Sequence, residues 1–485
     1  MEQKINRITD ILRRDDGISG AMMYTEQISW VLFLKFLNDY EIEKAESAEL
    51  DGLSYTNILD EAYRWDVWAC PKKEGKNDTL HAQSGDDLLK FVNESLFPYL
   101  QGFKSISEDA KSVKYKIGAI FEFITNRIAN GHTLREVLDL VDAMNFHSSS
   151  DLFQLSIVYE KLLQDMGSDG GNSGEFYTPR ALVKAMVEVI DPRVGQSVYD
   201  PACGTCGFLI EAYHHMRAQE MSVAELKHLN EESFFGNEKT PLSYVMGVMN
   251  MILHGVESPN IAKTNTLTRN IRHFEEKDRY DIILANPPFG GKEKEQIQQN
   301  FPIQSNATEL LFLQHMMKSL KLGGKCAVVV PEGVLFQTGQ AFASVKKELL
   351  ERFNVTCILS LPAGVFLPYS GVKTNVIFFE RTGSTSEIYY YELVPATKLT
   401  KNKPITSAHF EEFLACVKER TLTPNSWLLS INDIKEYDIS AKNPTKKEEI
   451  AHKSPLELVE IIKENNAEVA NLCEEIEAIL ITNER

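Results

Sequence analysis

The sequence predicts an α/β protein: a doubly wound, mostly parallel sheet, with an N-terminal helical domain before it and a C-terminal helical tail after it. Three observations predict it. Helical apolar spacing with few β-branched alternations fills roughly the first 145 residues. From Ala181 onward, short apolar runs alternate with helical segments, the pattern of βα units with strands buried on both faces. After about Pro444 apolar residues recur every seven. A chain of 485 residues accommodates two or three domains at ~100–200 residues each. The expected divisions are 1–147, 148–440 and 441–485.

In order along the chain, Tyr24 to Glu46 is the first strong helix, with Ile28, Val31, Leu32, Leu34, Phe36 and Leu37 near helical spacing. A polar stretch over 70–85 reads as a loop. "GDDLLKFVNESLFPYL" follows as a helix, its Asp pair preceding the first apolar residues. A Ser-rich entry and a Gly-rich loop around 146–180 mark a boundary. "ALVKAMVEVI" is helical, "QSVYDPACGTCGFLIEAYHHM" reads strand–turn–helix, and "SFFGNE" is a short strand. "YDIILANPPF" is an apolar run ending in a loop, and "TELLFLQHMMKSL" is a helix. "GKCAVVVPEGVLF", "VTCILSLP" and "TNVIFFER" supply three more strands. In the tail, Ser454-Pro455-Leu456-Glu457 fits a capping box with Pro at the first helical position. Ile462, Val469 and Ile476, with Leu458, Leu472 and Ile479, form an a/d seam broken by Asn465. Such a seam either packs on its own domain or pairs with a partner's helix.

Composition narrows the function classes. No apolar run approaches a membrane span and the N-terminus has no apolar signal region, so no membrane association is expected. Seven irregularly spaced cysteines do not read as a disulfide framework, and a cytoplasmic location follows as the default. The net charge is −18, from 51 basic and 69 acidic residues. Most of such a surface repels a phosphate backbone. If nucleic acid is the substrate, it must be held by a local basic strip or by another subunit.

Two motifs carry the chemistry. "DPACGTCGFL" (Asp200 to Leu209) is the first βα turn of an open sheet, where ligands bind beyond the strand carboxyl ends. Gly204 and Gly207 permit close backbone approach, and Asp200 places a carboxylate suited to an amino group. Glu238, at the end of the next strand, suits the two hydroxyls of a ribose. G-x-G-x-x-G is absent, which disfavours a pyrophosphate. An adenosyl group bearing an amino acid, as in S-adenosylmethionine, fits the acids better. The second motif is Asn286-Pro287-Pro288-Phe289. Its prolines remove two N–H donors and leave an acceptor-rich strand end. The Asn286 side-chain oxygen and the Pro287 carbonyl can take the two hydrogens of an exocyclic amino group. That makes its nitrogen more nucleophilic, while Phe289 stacks on the ring. A base in a duplex must be rotated out to reach such a pocket.

Taken together, GEFYTPR (Gly174 to Arg180), DPACGTCGFL and NPPF resemble the enzymes that methylate adenine N6 in DNA. "LANPPFGGKEKE", "TELLFLQHMMKSLKLGGKCAVVVPEGVLF", "LPAGVFLPYSGVKTNVIFFE" and the N-terminal "WVLFLKFLNDYEIEK" resemble the modification (M) subunits of type I restriction–modification systems. The resemblance spans about residues 5–385 and implies a Rossmann-like methyltransferase sheet. It implies that Asn286, Pro287, Pro288 and Phe289 hold a flipped adenine. It also implies that Glu175, Phe176, Tyr177, Thr178, Asp200, Ala202, Gly204, Thr205, Gly207 and Glu238 hold S-adenosylmethionine, with Asn265 and Thr266 at the cofactor's adenine. The partners it implies are DNA, a specificity (S) subunit with two M per S, and a motor-nuclease restriction (R) subunit.

One residue departs from the family's turn. DPACGTGGFL is usual, and this chain has Cys206 in place of a glycine. If φ is positive there, a side chain is strained by ~1 kcal/mol or more. The resulting C-x-x-C with Cys203 reads as accidental rather than as a redox or metal site. No metal site is expected, since neither H-E-x-x-H nor a paired C-x-x-C occurs. His315, on an apolar helix, reads as structural, and Lys292, Lys294 and Lys325 as solvated surface rather than phosphate contacts. Two other readings compete: a protein-glutamine or RNA-guanine N-methyltransferase with a similar N-P-P-aromatic loop, and a non-catalytic cofactor-binding scaffold of a DNA-binding complex.

Overall fold

The computed structural model describes the chain apart from positions 1, 74–75, 79–81, 108, 110–111, 145, 147–158, 160, 163–177, 257–258, 368–369, 446–458, 460–461, 464, 468, 471, 474–475 and 477–485. It forms two compact units, Met1–Lys442 and Asn443–Arg485.

The Ala21–Leu50 helix runs through the middle of the N-terminal helices. Nearly every residue from Tyr24 to Asp39 is buried, on all its sides, because helices cover it all round. Trp30 meets Phe97 edge-on at 5.2 Å, and Ile28, Val31 and Leu34 are fully or almost fully buried. Lys35, buried on the same helix, pairs with Asp39 one turn on at 2.6 Å. The expected helix at "GDDLLKFVNESLFPYL" is three segments: Gly85–Phe91, a π-helical turn Val92–Leu96, and Phe97–Ile106. Within the polar stretch after Cys70 there is a small antiparallel ribbon of β1 (Lys72–Lys73) and β2 (Lys76–Asn77), where a loop was expected.

The second layer is a nine-stranded sheet. Its strands are β3 (Val198–Asp200), β4 (Phe234–Glu238), β5 (Asn260–Lys263), β6 (Tyr280–Ala285), β7 (Leu320–Pro331), β8 (Asn354–Ser360), β9 (Thr374–Glu380), β10 (Glu387–Glu392) and β11 (Ser426–Ser430). Their order is β11-β10-β8-β9-β7-β6-β3-β4-β5. Five of the eight pairings are parallel; β9 runs antiparallel between β7 and β8, and β11 is an antiparallel edge. The sheet buries both faces. Along β6, Ile282 and Leu284 join the core shared with the N-terminal helices, whereas Ile283 and Ala285 join the core under the Thr308–Ser319 and Gln340–Arg352 helices. β5, β10 and β11 are additions to the strands expected from sequence.

From β3 the chain winds outward through β4 to β5, then returns to place β6 on the other side of β3. The carboxyl ends of β3 and β6 therefore flank the point where winding reverses, and a crevice opens there in such sheets. The helical layer packs close by: the Pro241–Leu253 helix lies against the Ala21–Leu50 helix, and Phe123 meets Tyr244 edge-on at 6.3 Å.

In the second unit, the described residues between 459 and 476 are helical and exposed. Ile462, Val469 and Ile476 are each more than half exposed, with Val459 and Leu472 beside them in sequence pattern. Leu458, Ile479 and the capping box at Ser454–Glu457 lie outside the described residues. No helix among the described residues is long and apolar enough to cross a membrane.

Candidate active site

β3 ends on Asp200, whose side chain is almost fully buried. Its Oδ1 accepts the Ala202 N–H at 2.9 Å, folding the turn back over the strand end. Burial, with Glu238 as a like charge nearby, pushes the Asp200 carboxyl up to about 8. Glu238, at the end of β4, accepts the Gly204 N–H at 3.0 Å and the Thr240 N–H at 2.6 Å. Burial raises its pKa too, against those hydrogen bonds. One carboxylate thus ties the glycine turn to the neighbouring strand.

Gly204 has φ +51° and Cys206 φ +65°, so the position where this chain departs from the family's glycine does take the left-handed conformation. Cys206 is fully buried and forms the N-cap of the Gly207–Arg217 helix; its N–H bonds the Cys203 carbonyl at 2.7 Å. Its sulfur faces the Pro241–Leu253 helix: a Cβ on Gly247 would stand 2.8 Å from the Cys206 Sγ and 2.7 Å from the Gly204 carbonyl oxygen. A Cβ on Gly236 of β4 would likewise crowd the Cys203 Sγ, at 2.9 Å. Both thiols are free and occupy spaces that glycines leave open, and a hydrogen bond between them helps push the Cys203 thiol well up. Six cysteines are buried and Cys473 is exposed.

β6 delivers Asn286 to the same crevice. The Asn286 amide nitrogen donates to Thr178 Oγ1 at 3.0 Å. That leaves Asn286 Oδ1 buried and without a partner. Pro287 is buried and lines neither cavity, Pro288 is exposed, and Phe289 meets Phe366 edge-on at 6.3 Å. Two cavities meet here. A larger one of about 300 Å³ runs from Ala202 and Gly204 past Glu238, Asn265 and Thr266 to Pro288 and Phe289. A narrower recess is lined by Thr178, Arg180, Asp200, Thr205, Gly207 and Phe208. Asn286, Ala202 and Gly204 belong to the walls of both. Thr266 is fixed by a hydrogen bond to the Pro201 carbonyl at 2.6 Å, and Asn265 Oδ1 caps the Leu267 N–H.

Of the residues expected to form the site, Thr178, Asp200, Ala202, Gly204, Thr205, Gly207, Glu238, Asn265, Thr266, Asn286, Pro288 and Phe289 thus line one crevice. Glu175, Phe176 and Tyr177 lie outside the described residues. Arg180 and Phe366 are additions. Arg180 is the last residue of GEFYTPR, and Phe366 lies in "LPAGVF". His315 is buried, shares a hydrogen bond with the Tyr199 hydroxyl at 3.0 Å, and burial depresses its pKa to about 3, so it is a neutral core residue. Lys292 and Lys294 are exposed, and Lys325 sits on β7 opposite Ile282.

Residues 149–453, more than half of the chain, match the family described as N-6 DNA Methylase. The chain belongs to that family. Residues 1–150 match the N-terminal domain described as HsdM. The methylase is 36% identical over 458 residues to the EcoEI type I restriction enzyme methylase subunit of Escherichia coli, covering 91% of this chain and 89% of that one. It is 28% identical to the EcoKI methylase subunit of Escherichia coli K12, covering 84% and 74%. Among solved structures it is similar to a modification subunit of a putative type I restriction enzyme from Vibrio vulnificus, with 38% identity, 92% and 98% coverage and TM-score 0.82. It also resembles a chain from a study of type I R-M complex assembly and conformational transition, with 43% identity, 100% and 98% coverage and TM-score 0.79. The methylase is therefore a type I modification subunit, an adenine-N6-specific DNA methyltransferase with the methyltransferase sheet expected from its sequence.

Proposed function

We propose that this crevice transfers a methyl group from S-adenosylmethionine to the N6 of an adenine rotated out of DNA, and that Asn286 is the residue on which transfer turns. The observation that carries this is the Asn286 amide: its nitrogen is committed to Thr178, and its oxygen is left buried without a partner on the wall shared by both cavities. A buried unpaired acceptor is costly and calls for a donor. The Asn286 oxygen and the Pro287 carbonyl accept the two N6 hydrogens, which returns lone-pair density from the ring to the nitrogen. Phe289 stacks on the base. The cofactor supplies an electrophilic methyl. Asp200 receives its amino group, Glu238 its ribose hydroxyls, and the segment around Asn265 and Thr266 its adenine. The turn at Gly204 lets the backbone close on it. The donor set fits the group: Asp200 is buried at the strand end with its pKa raised by desolvation, and a cationic amine beside it would favour the carboxylate. Positioning and exclusion of water then supply most of the rate.

The same reading extends to assembly. The chain is organised as 1–147, 148–440 and 441–485, the last presenting its exposed apolar seam to a specificity subunit. Two copies join each such subunit, which reads the sequence, and a motor-nuclease subunit joins for cleavage. The charge of −18 supports shared rather than solitary DNA binding. Seven cysteines without a disulfide support work in the reducing cytoplasm.

The test is to assemble wild type and Asn286→Ala with the specificity subunit and map N6-methyladenine in substrate DNA. Asn286→Ala should lower methylation by ~100–1000-fold or more with cofactor affinity nearly unchanged. A fully active Asn286→Ala enzyme would overturn the assignment.

A further inference from the structure

A separate cavity of about 490 Å³ opens at the amino end of β6. Arg279 on its wall immediately precedes that six-residue strand, and Asn286 immediately follows it, so this cavity and the crevice stand about 20 Å apart along β6. Four cations line it, Arg279, Lys318, Arg352 and Arg381, with Glu348 the one carboxylate among them. It is a positive site on a chain of net charge −18. Two of the four have ordinary duties. Lys318 and Arg352 lie in the last turns of the Thr308–Ser319 and Gln340–Arg352 helices, where cations offset the helix dipole, and they share Glu348 at 3.3 and 3.8 Å. The other two are less well matched. Arg279 Nη1 donates to Glu276 at 2.6 Å, but its Nε is buried without a hydrogen-bond partner. Arg381 Nη1 donates to the Leu320 carbonyl at 2.7 Å rather than to a carboxylate. Burial and the neighbouring Arg279 charge lower the Arg381 pKa, so the two guanidiniums stand close enough to repel. Like charges held together beside a buried unpaired donor are costly unless an anion lies between them.

The forked donors of a guanidinium match phosphate oxygens in a way an ammonium cannot. Four cations against Glu348 and Glu276 leave two positive charges, which a phosphate monoester, carrying about 1.5–2 negative charges at pH 7, neutralises. The rest of the wall is apolar: Met317 and Phe353 are buried, and Leu322, 80% exposed, stands at the rim. We propose that this cavity binds a small phosphate monoester, with Arg279 and Arg381 on the phosphate and Met317, Leu322 and Phe353 against the organic group it carries. A DNA duplex is too broad to enter the cavity, and each of its backbone phosphates brings one charge rather than two. The site is independent of methyl transfer, since it shares no residue with either cavity of the crevice.

Calorimetric titration of the intact chain with phenyl phosphate and with inorganic phosphate tests this. Phenyl phosphate should bind about 3–10-fold tighter, because its ring removes apolar wall from water. Arg381→Gln should weaken phenyl phosphate by about 10-fold or more, the scale of a charge-assisted hydrogen bond. Arg381→Lys, which keeps the charge and loses the fork, should recover only part of it. Both variants should melt cooperatively; if Arg381→Gln does not, Arg279→Gln is read in its place under the same criteria. Saturating S-adenosylmethionine should leave the phosphate titration unchanged. Competition between the two would move the phosphate to the crevice and overturn the inference. So would a wild type that binds neither phosphate with Kd below about 10 mM, or folded arginine variants that keep full affinity. Displacement of phenyl phosphate by a hexaglutamate peptide or by an adenine-free duplex overturns it as well, assigning the cavity to an acidic protein segment or to DNA.

Discussion

At the scale of single residues, the Asn286 amide decides what the strand end can do, and Thr178 decides how the amide faces. Thr178 was expected among the cofactor contacts; the hydrogen bond at 3.0 Å to Asn286 gives it a positioning role as well. Thr178→Val should lower kcat about 10–100-fold, the order expected of a misaligned reacting group, with the dissociation constant for cofactor changed far less. Equal losses in both would count against positioning. Asp200 makes a pH prediction. With burial raising its carboxyl to about 8, Asp200 holds its proton below that pH and must release it to pair with an amine. Cofactor affinity should therefore rise with pH toward about 8 and then stop rising, as the ligand's own amino group, with a reference pKa near 8, loses its charge. Calorimetry in two buffers of different ionisation enthalpy measures the released proton, and Asp200→Asn should abolish the release. Cys206 answers its own question differently. Its sulfur turns toward Gly247 and it lines neither cavity. Cys206→Gly should leave cofactor affinity within about twofold, because the strain it carries, ~1 kcal/mol, is stored in the fold rather than in the ligand contact.

Among the elements, β3, β4 and β6 through β9 were legible because their apolar runs are continuous and end in turn or loop residues. β5 was not, since "NIAK" is four residues long with Ile261 its one buried residue. β10 reads "EIYYYE", where both faces are buried and no alternation appears, and β11 is a five-residue edge strand. Asp200, Glu238 and Asn286 could be read from the sequence because each ends a strand inside its own motif. The contact of Arg180 with Gly207, and the fit of Cys206 to Gly247, could not, because they join separate helices through space. The second fit carries a prediction. Gly247→Ala should destabilise by ~1–3 kcal/mol through overpacking, read as a lower melting temperature. Cys206→Gly should relieve it only in part, because the Gly204 carbonyl oxygen would remain 2.7 Å from the new methyl.

For the whole molecule, the contrast lies between a body that buries its apolar residues and a tail that does not. The heptad pattern was visible in the sequence; what the structure adds is that Ile462, Val469, Leu472 and Ile476 stand exposed in the described part of the second unit. Leu472→Asp should weaken co-purification with the specificity subunit by at least about 10-fold, since one buried Leu contributes ~1.5–3 kcal/mol, while cofactor titration of the free chain stays unchanged. Loss of both together would place the defect in folding instead.

The distribution of thiols has a practical consequence. Six cysteines are sealed inside the first unit, and the seventh, Cys473, is exposed one position beyond Leu472. The native chain therefore carries a built-in handle: a maleimide dye added under non-denaturing conditions should attach at a single place, on the tail. Its fluorescence then follows assembly without any engineered label, and the site of methyl transfer remains chemically untouched.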